Sequence, residues 1–390
     1  MSRALEMSTR LKKRFGLGSL AAAGQSARVG DPPAVAVTGV QAWAIRLGPK
    51  AGPRLVVAVR AGDDLTGYGE TACGPDAAAS VKEMLRVGEA LVGRDGLASV
   101  AAWTALSSAP PALRGAIDIA LLDLRGKVAQ APVYDLLAGR TREKARAMAA
   151  LRGSSETELT SQLTAALAAG YRAFSVPVLL PEDTPTRGRD FFAETVEMLE
   201  RLREAGADDL ALDCAGRTSA AEAASLAARC ESLHLMWMDE PAGRIGEAAL
   251  QKMALETVTP LGWGRSLVSS GAFQDLLRMQ VIDVLRPDIG VHGISSTRIL
   301  AAMAEAYYTA IAPYHRGGPI GTAAALQVAA STPNFVVQEV AFSTDGEEGK
   351  VAEEIAGGWL PALTDGFFEL PTGPGLGLEI DEDALEMHSI

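Results

Sequence analysis

VLRPDIGVHGISSTRILAAMAEAYYTAIAPYH, residues 284–315, reads as strand, helix, strand. The apolar runs at its two ends are strand-length, and STRILAAMAEAYYT between them repeats apolar residues at three- and four-residue spacing, a helical period. One such unit decides little, but the rhythm holds from about Arg146 onward. Short apolar runs (ARAMAA, AFSVPV, LALDCA, LMWMDEP, PLGWG, VLRPD, AIAPYH, FVVQEV) alternate with helical segments such as DFFAETVEMLERLREAGA and GAFQDLLRMQ. Eight strand–helix units spaced by roughly 25 residues predict an α/β fold, a (β/α)8-type barrel. An open doubly wound sheet is the competitor, and the absence of GxGxxG after an early strand counts against it.

Upstream the pattern differs. VAVTGVQAWAIRL, RLVVAVRA and LTGYGE, separated by the turns AGPR and GDD, predict a small antiparallel meander. AASVKEMLRVGEALVG and RGAIDIALLDLRGKVAQAPVYDLL follow with helical periodicity, so this part reads as an α+β domain. WLPALTDGFFELPTGPGLGLEIDEDAL, rich in Gly and Pro, is expected to pack back on that first domain. The expected organisation is a tail over 1–33, the α+β domain over 34–145, the barrel over 146–355 and the returning segment over 356–390. The tail contains RLKKRFGLGSLAAAGQSARVGDPP, with a basic start, a short apolar run from Phe15 to Ala23 and then small residues. It resembles an export signal, although Lys12-Lys13-Arg14-Phe15 lacks an arginine pair, and a disordered tail fits equally well. The compartment is therefore cytoplasmic, or external if this segment is a signal.

The bulk numbers exclude several classes. With 48% hydrophobic and 22% charged residues, the 390-residue chain can build a large core. A net charge of -12 opposes a nucleic-acid partner, since phosphate backbones call for basic surface. No apolar run is long enough for a membrane span. Cys73, Cys214 and Cys230 are widely separated and lack any CxxC, which argues against a disulfide framework or a zinc cluster and for buried thiols.

In such barrels the chemistry lies at the carboxyl ends of the strands. Reading the polar residue that ends each run gives Asp213 for the third strand, Asp239 and Glu240 for the fourth and Arg265 for the fifth. The sixth run ends at Asp288 and the seventh at His315. Five successive strands thus bring an ionisable group to one rim. Tyr314, Arg316 and Trp263 flank these groups as candidate contacts for a carboxylate or sugar-like substrate. His234, His292 and His388 read as structural.

GAIDIALLDLRGKVAQAPVYDLLAG (115–139), the Asp213 and DEP strands, RPDIGVHGISSTRILAAMAEAY (286–307) and GPGLGLEIDEDAL (373–385) resemble the enolase superfamily. Within it the closest branch is that of mandelate racemase and muconate lactonizing enzyme, with the acid-sugar dehydratases. The resemblance runs from about Val35 to Leu385. It implies a (β/α)7β barrel, TIM-like, under an N-terminal α+β capping domain closed by the C-terminal segment. It also implies an enzyme that takes a proton from the carbon beside a carboxylate and holds the enediolate on Mg²⁺. Tyr68 and Glu70, in the TGYGE turn, lie where relatives close a lid over the substrate.

The carry-over of residues is partial. The family's metal carboxylates end the third, fourth and fifth strands; Asp213 and Glu240 match the first two, as ligands suited to Mg²⁺. At the third position stands Arg265, which keeps its proton and cannot ligate a cation. The Asn often found two positions after the first ligand is Ala215, and the second-strand Lys-x-Lys pair is replaced by Ser175 and Pro177. Asp288 and His315 match the family's Asp–His dyad, in which a carboxylate on one ring nitrogen leaves the other to move a proton. One acid/base group suits a dehydratase of hydroxy acids or acid sugars, so the expectation is a lyase, or else an isomerase of racemase or epimerase type. The alternative is a catalytically decayed member that binds a small molecule. Arg265 is expected to sit near the missing ligand, pair with Asp213 and Glu240 and supply positive charge without metal; otherwise Asp213 and Glu240 hold Mg²⁺ with Asp239 or water. The expected partner is a small-molecule carboxylate, and the expected assembly a homo-oligomer.

Overall fold

The structure is a computed structural model and describes residues 35–49, 51–98, 102, 104–179, 189–243, 246–344 and 346–390. The export-signal reading of residues 1–33 lies outside the described residues.

Three strands open the chain: β1 (Val37–Ile45), β2 (Arg54–Ala61) and β3 (Leu65–Ala72), paired antiparallel in that order. Two helices, Ala77–Gly88 and Pro111–Ala129, cover this sheet. The approach of β3 to the second is close enough to require glycine, because a Cβ on Gly67 or Gly69 would strike the backbone carbonyls of Ala120 or Ala116. The end of the chain returns to this domain. Ser389 bridges to Ile45, the Tyr68 hydroxyl donates to Glu382 Oε1 at 2.6 Å, and buried Asp123 accepts from the amides of Tyr68 and Leu376.

Eight parallel strands follow: β4 (Lys144–Ala150), β5 (Ala173–Pro177), β6 (Asp209–Asp213), β7 (Trp237–Asp239), β8 (Leu261–Trp263), β9 (Val284–Leu285), β10 (Ala310–Ile311) and β11 (Gln338–Ala341). Each pairs with the next from β4 to β10, β11 pairs back onto β4, and a bridge between Ile311 and Phe335 closes the ring. A short hairpin, β12 (Leu363–Thr364) and β13 (Phe367–Glu369), adds antiparallel to the start of β4. The barrel expected from the eight apolar runs is the barrel observed.

Side chains alternate between the two faces of each strand. Outward residues such as Phe174, Leu210, Leu212, Met238, Leu261 and Leu285 join the helices in the largest hydrophobic cluster. Inward residues Met148, Ala173, Ala211, Trp237, Val284, Ala312 and Val337 form a separate apolar plug. One helix, Pro319–Ser331, is buried on every side, in keeping with its mostly small and apolar residues, and its polar Gln327 bonds the Tyr134 amide and the Leu376 carbonyl. Its Ile320, Ala323, Ala324 and Val328 share a cluster with Trp43 and Tyr68 of the first domain and Leu376 and Leu385 of the C-terminal segment.

Candidate active site

Moving two residues along each strand from the apolar plug keeps the same face and reaches a polar layer. Ala173 leads to Ser175, Ala211 to Asp213, Trp237 to Asp239, Val284 to Arg286, Ala312 to Tyr314 and Val337 to Glu339. All but Tyr314 are nearly or wholly buried, and the layer is knitted by charge. Arg286, fully buried, donates through Nε to Asp239 Oδ1 at 3.1 Å, through Nη1 to the carbonyl of Ala312 and through Nη2 to Glu339. Arg316 donates to Glu339 Oε1 and to Ser175 Oγ at 3.2 Å, and forms an ion pair with Asp213 Oδ2 at 2.8 Å. Burial alone would raise the Glu339 carboxyl, but Arg316 and Arg286 outweigh it and hold the group at about 2.

Arg265 completes this lattice. Its Nη1 donates to Asp213 Oδ1 at 2.9 Å and to Asp239 Oδ2 at 3.1 Å, and its guanidinium carbon stands 4.5 Å from the centre of the Tyr314 ring. Burial pulls the guanidinium pKa down, yet Asp239 and Asp213 together carry it up, so Arg265 stays charged. Asp239, which follows the inward alternation, is therefore the partner that Glu240 was expected to be. Glu240 adopts a left-handed backbone (φ 42°), and its Oε1 accepts from the amides of Gly264 and Arg265, each at 2.8 Å. Burial raises its carboxyl pKa, and the neighbouring Asp239 adds to the rise.

The residues present do not fit a metal. Of the two candidate ligands, Asp213 has both oxygens engaged by guanidinium and amide groups, and Glu240 has Oε1 turned onto two backbone amides, with Oε2 3.5 Å from Ser266 Oγ. Among the described residues no three His, Cys, Asp or Glu side chains stand together in a way that could hold a metal ion.

The other side of the rim is built differently. Asp288 caps the helix Ile289–Glu305, its Oδ1 accepting from the Gly290 amide at 2.8 Å. His315 is buried, with Nε2 3.1 Å from the Gly318 carbonyl oxygen. A carbonyl only accepts, so Nε2 carries the ring proton and Nδ1 keeps a lone pair. None of the described hydrogen bonds joins His315 to Asp288. The carboxylate that acts on it most strongly is Glu70 of β3. A Cβ on Gly317 would stand 2.6 Å from both Glu70 Oε1 and His315 Cε1, so the two flank one glycine. Glu70 accepts from Arg54 Nε at 2.9 Å and from the amides of Gly318 and Gly321, at the start of the helix Pro319–Ser331. Burial would raise the Glu70 carboxyl, but Arg54, His315 and the two amides bring it below the usual range. Burial lowers the His315 pKa despite the opposing pull of Glu70, and Asp288 contributes less than Glu70.

Trp263 is not a rim residue. It lies two positions from Leu261 on the outward face of β8, and both belong to the cluster under the helices, whereas Gly262 between them faces Trp237 and Asp239. Tyr314 and Arg316 do reach the rim. His292 donates from Nε2 to the Leu267 carbonyl at 2.8 Å and packs edge-on to Phe273. Arg286, Glu339, Arg54 and the Glu70–His315 approach were missed by sequence reasoning. The first two carried a signal: a charge two residues after an inward apolar residue, inside VLRPD and FVVQEV.

Comparison with known proteins agrees with this architecture. Residues 158–384 match the enolase C-terminal domain-like family, and residues 48–138 match the mandelate racemase / muconate lactonizing enzyme N-terminal domain. The chain belongs to this branch of the enolase superfamily and is an enzyme of the lyase or isomerase type, dehydratase-like. A D-xylonate dehydratase from Haloferax volcanii is 30% identical over 290 residues, covering 70% of this chain and 68% of that protein. A mandelate racemase/muconate lactonizing enzyme-like protein from Rubrobacter xylanophilus superimposes with a TM-score of 0.82 at 26% identity, over 92% of this chain and 98% of that one. An enolase superfamily member from Salmonella Typhimurium shares the fold at 23% identity, with a TM-score of 0.81 over 90% of this chain and 98% of that one. The family is generally Mg²⁺-dependent. No described helix is long and apolar enough to cross a membrane.

Proposed function

We propose that this enzyme dehydrates a hydroxy acid or acid sugar with His315 as its one proton-transfer group. The Nδ1 lone pair takes the proton from the carbon beside the carboxylate, and the C–H electron pair becomes the new C=C bond. The C–O bond at the next carbon breaks, and the same proton returns from His315 to the departing hydroxyl, releasing water. The enol left behind tautomerises to a keto acid. The observation that carries this reading is the placement of buried His315 beyond β10 with Nε2 on the Gly318 carbonyl, while the nearby His292 is held on the Leu267 carbonyl against Phe273. Ser175 and Pro177 stand where a second base would be needed, and Ser175 is engaged with Arg316. A racemase works on both faces of the carbon and needs that second base. The lowered pKa keeps the imidazole neutral near pH 7, as a base requires. Substrate carboxylate would meet Arg265 and Arg316, beside Tyr314, the rim arginines that retain some exposure. The dehydratase relative supports the reaction class.

The test is a panel of acid sugars and other hydroxy acids assayed for keto-acid formation, with His315→Ala alongside. The wild type is expected to turn over at least one compound, and the variant to lose about 10²–10⁴-fold in rate. Turnover unchanged in the variant would overturn the role of His315. A compound that binds the wild type and is never converted would instead favour a binding function.

A further inference from the structure

The disagreement between this site and a metal-dependent one has a specific form. Both oxygens of Asp213 are engaged: Oδ1 accepts from Arg265 Nη1 and the Ala215 amide, each at 2.9 Å, and Oδ2 forms an ion pair with Arg316 at 2.8 Å. Asp239 is shared between Arg265 and Arg286. Glu240 is turned onto two backbone amides, and its other oxygen lies 3.5 Å from Ser266 Oγ. Within the lattice the charges of Arg265, Arg286 and Arg316 balance those of Asp213, Asp239 and Glu339. A divalent cation would add two positive charges to a balanced cluster. It would also have to strip guanidinium donors from the oxygens it needs, since Mg²⁺ demands near-octahedral oxygen ligation.

We propose that the Arg265 guanidinium is the resident cation of this site, occupying the place of a divalent metal between Asp213 and the end of β7, so that the enzyme binds its carboxylate ligand without Mg²⁺. A fixed guanidinium beside a buried rim can stabilise developing carboxylate or enediolate charge without reorganising, as a metal would. Arg265 is suited to this because two aspartates and the Tyr314 ring hold it on three sides. Its Nη1 makes both aspartate contacts, which leaves Nη2 and Nε to meet a ligand. The electrostatic half of this proposal rests on the dehydratase reading; the absence of metal affinity does not.

The experiment uses full-length protein, dialysed against chelator and then titrated with Mg²⁺ by calorimetry and thermal denaturation. Wild type is expected to give no binding heat and no rise in Tm, whereas stoichiometric binding would overturn the proposal. Arg265→Glu, which removes the cation and adds a third carboxylate beside Asp213 and Glu240, is expected to gain a Mg²⁺-dependent rise in Tm of several degrees. If Arg265→Glu does not fold, Arg265→Gln removes the charge with less repulsion and is expected to gain weaker Mg²⁺ binding. A folded variant that gains no affinity would show that the guanidinium is not what occupies the metal position. Turnover that stops on chelation and returns with Mg²⁺ would also overturn this proposal and leave the dehydratase reading intact. A failure to convert any hydroxy acid would overturn the dehydratase reading and the electrostatic half with it, and leave the absence of metal affinity standing.

Discussion

The two sides of the barrel mouth solve the burial of charge in opposite ways. In the lattice, three arginines and three carboxylates carried at or just beyond the ends of β6 to β11 satisfy one another within the barrel alone. Where the barrel meets the first domain, His315 and the start of the helix Pro319–Ser331 receive their counter-charge from that domain, through Glu70 and Arg54. The first side is self-contained and rigid by mutual pairing. The second is assembled only when the cap docks, and it holds His315, an imidazole whose proton exchange the cap influences. Charge fixed within the barrel orients, while charge lent by the cap tunes.

This contrast predicts a graded set of losses. Arg286→Met should be the most damaging, because it leaves fully buried Glu339 and Asp239 short of their common partner. A cost of about 3–5 kcal/mol is expected from denaturant unfolding. If the loss is below about 1 kcal/mol, the lattice is not the closed unit described. Its pH signature follows from Glu339, held at about 2 in the fold and near ~4.3 when unfolded. The stabilisation is complete above the unfolded value and drains away as pH falls from about 4.3 towards 2. Acid unfolding of wild type should steepen in that window, and Arg286→Met should move it upward.

Glu70→Gln should cost less, about 1–3 kcal/mol, since the amide oxygen can still accept one bond while the charged contacts to Arg54 and the helix start weaken. Its sharper readout is the imidazole. Removing the negative charge should lower the His315 midpoint in an NMR titration by more than Asp288→Asn does. The opposite order would return the histidine to Asp288 and erase the distinction between the two sides. Because His315 is already lowered, its neutral form contributes stability that is present above about pH 6.5 and lost as pH falls through the folded value. Lys252→Ala, far from both sides on an exposed helical pair with Glu256, should change stability by less than about 0.5 kcal/mol. A larger effect there would mean that simple exposure does not separate rim from surface.

Much of this was legible in the sequence. The eight apolar runs marked all eight barrel strands, and five of the rim groups stood where those runs ended. Alternation along single strands was also readable, and applied strictly it would have found Arg286 and Glu339 and turned Trp263 outward. Three things were not legible, for a common reason. The Glu70–Gly318 contact joins residues 248 positions apart across a domain boundary, so no local period encodes it. The substitution of Asp239 for Glu240 as the partner of Arg265 depends on a left-handed residue at the end of β7, which no pattern of side chains announces. The preference of His315 for the Gly318 carbonyl over Asp288 is set by which way a ring turns in a packed corner.

The Glu70 carboxylate has one more consequence, for anyone who would build chimeras from this family. Because it serves at once as the helix cap for Pro319–Ser331 and as the anion beside His315, the barrel of this protein cannot be treated as an interchangeable module. A foreign cap grafted to change substrate preference would have to place a carboxylate at the same point beside Gly317. Without it, the exchange would retune the histidine and loosen the helix together, and a change meant for specificity would surface as a change in proton chemistry.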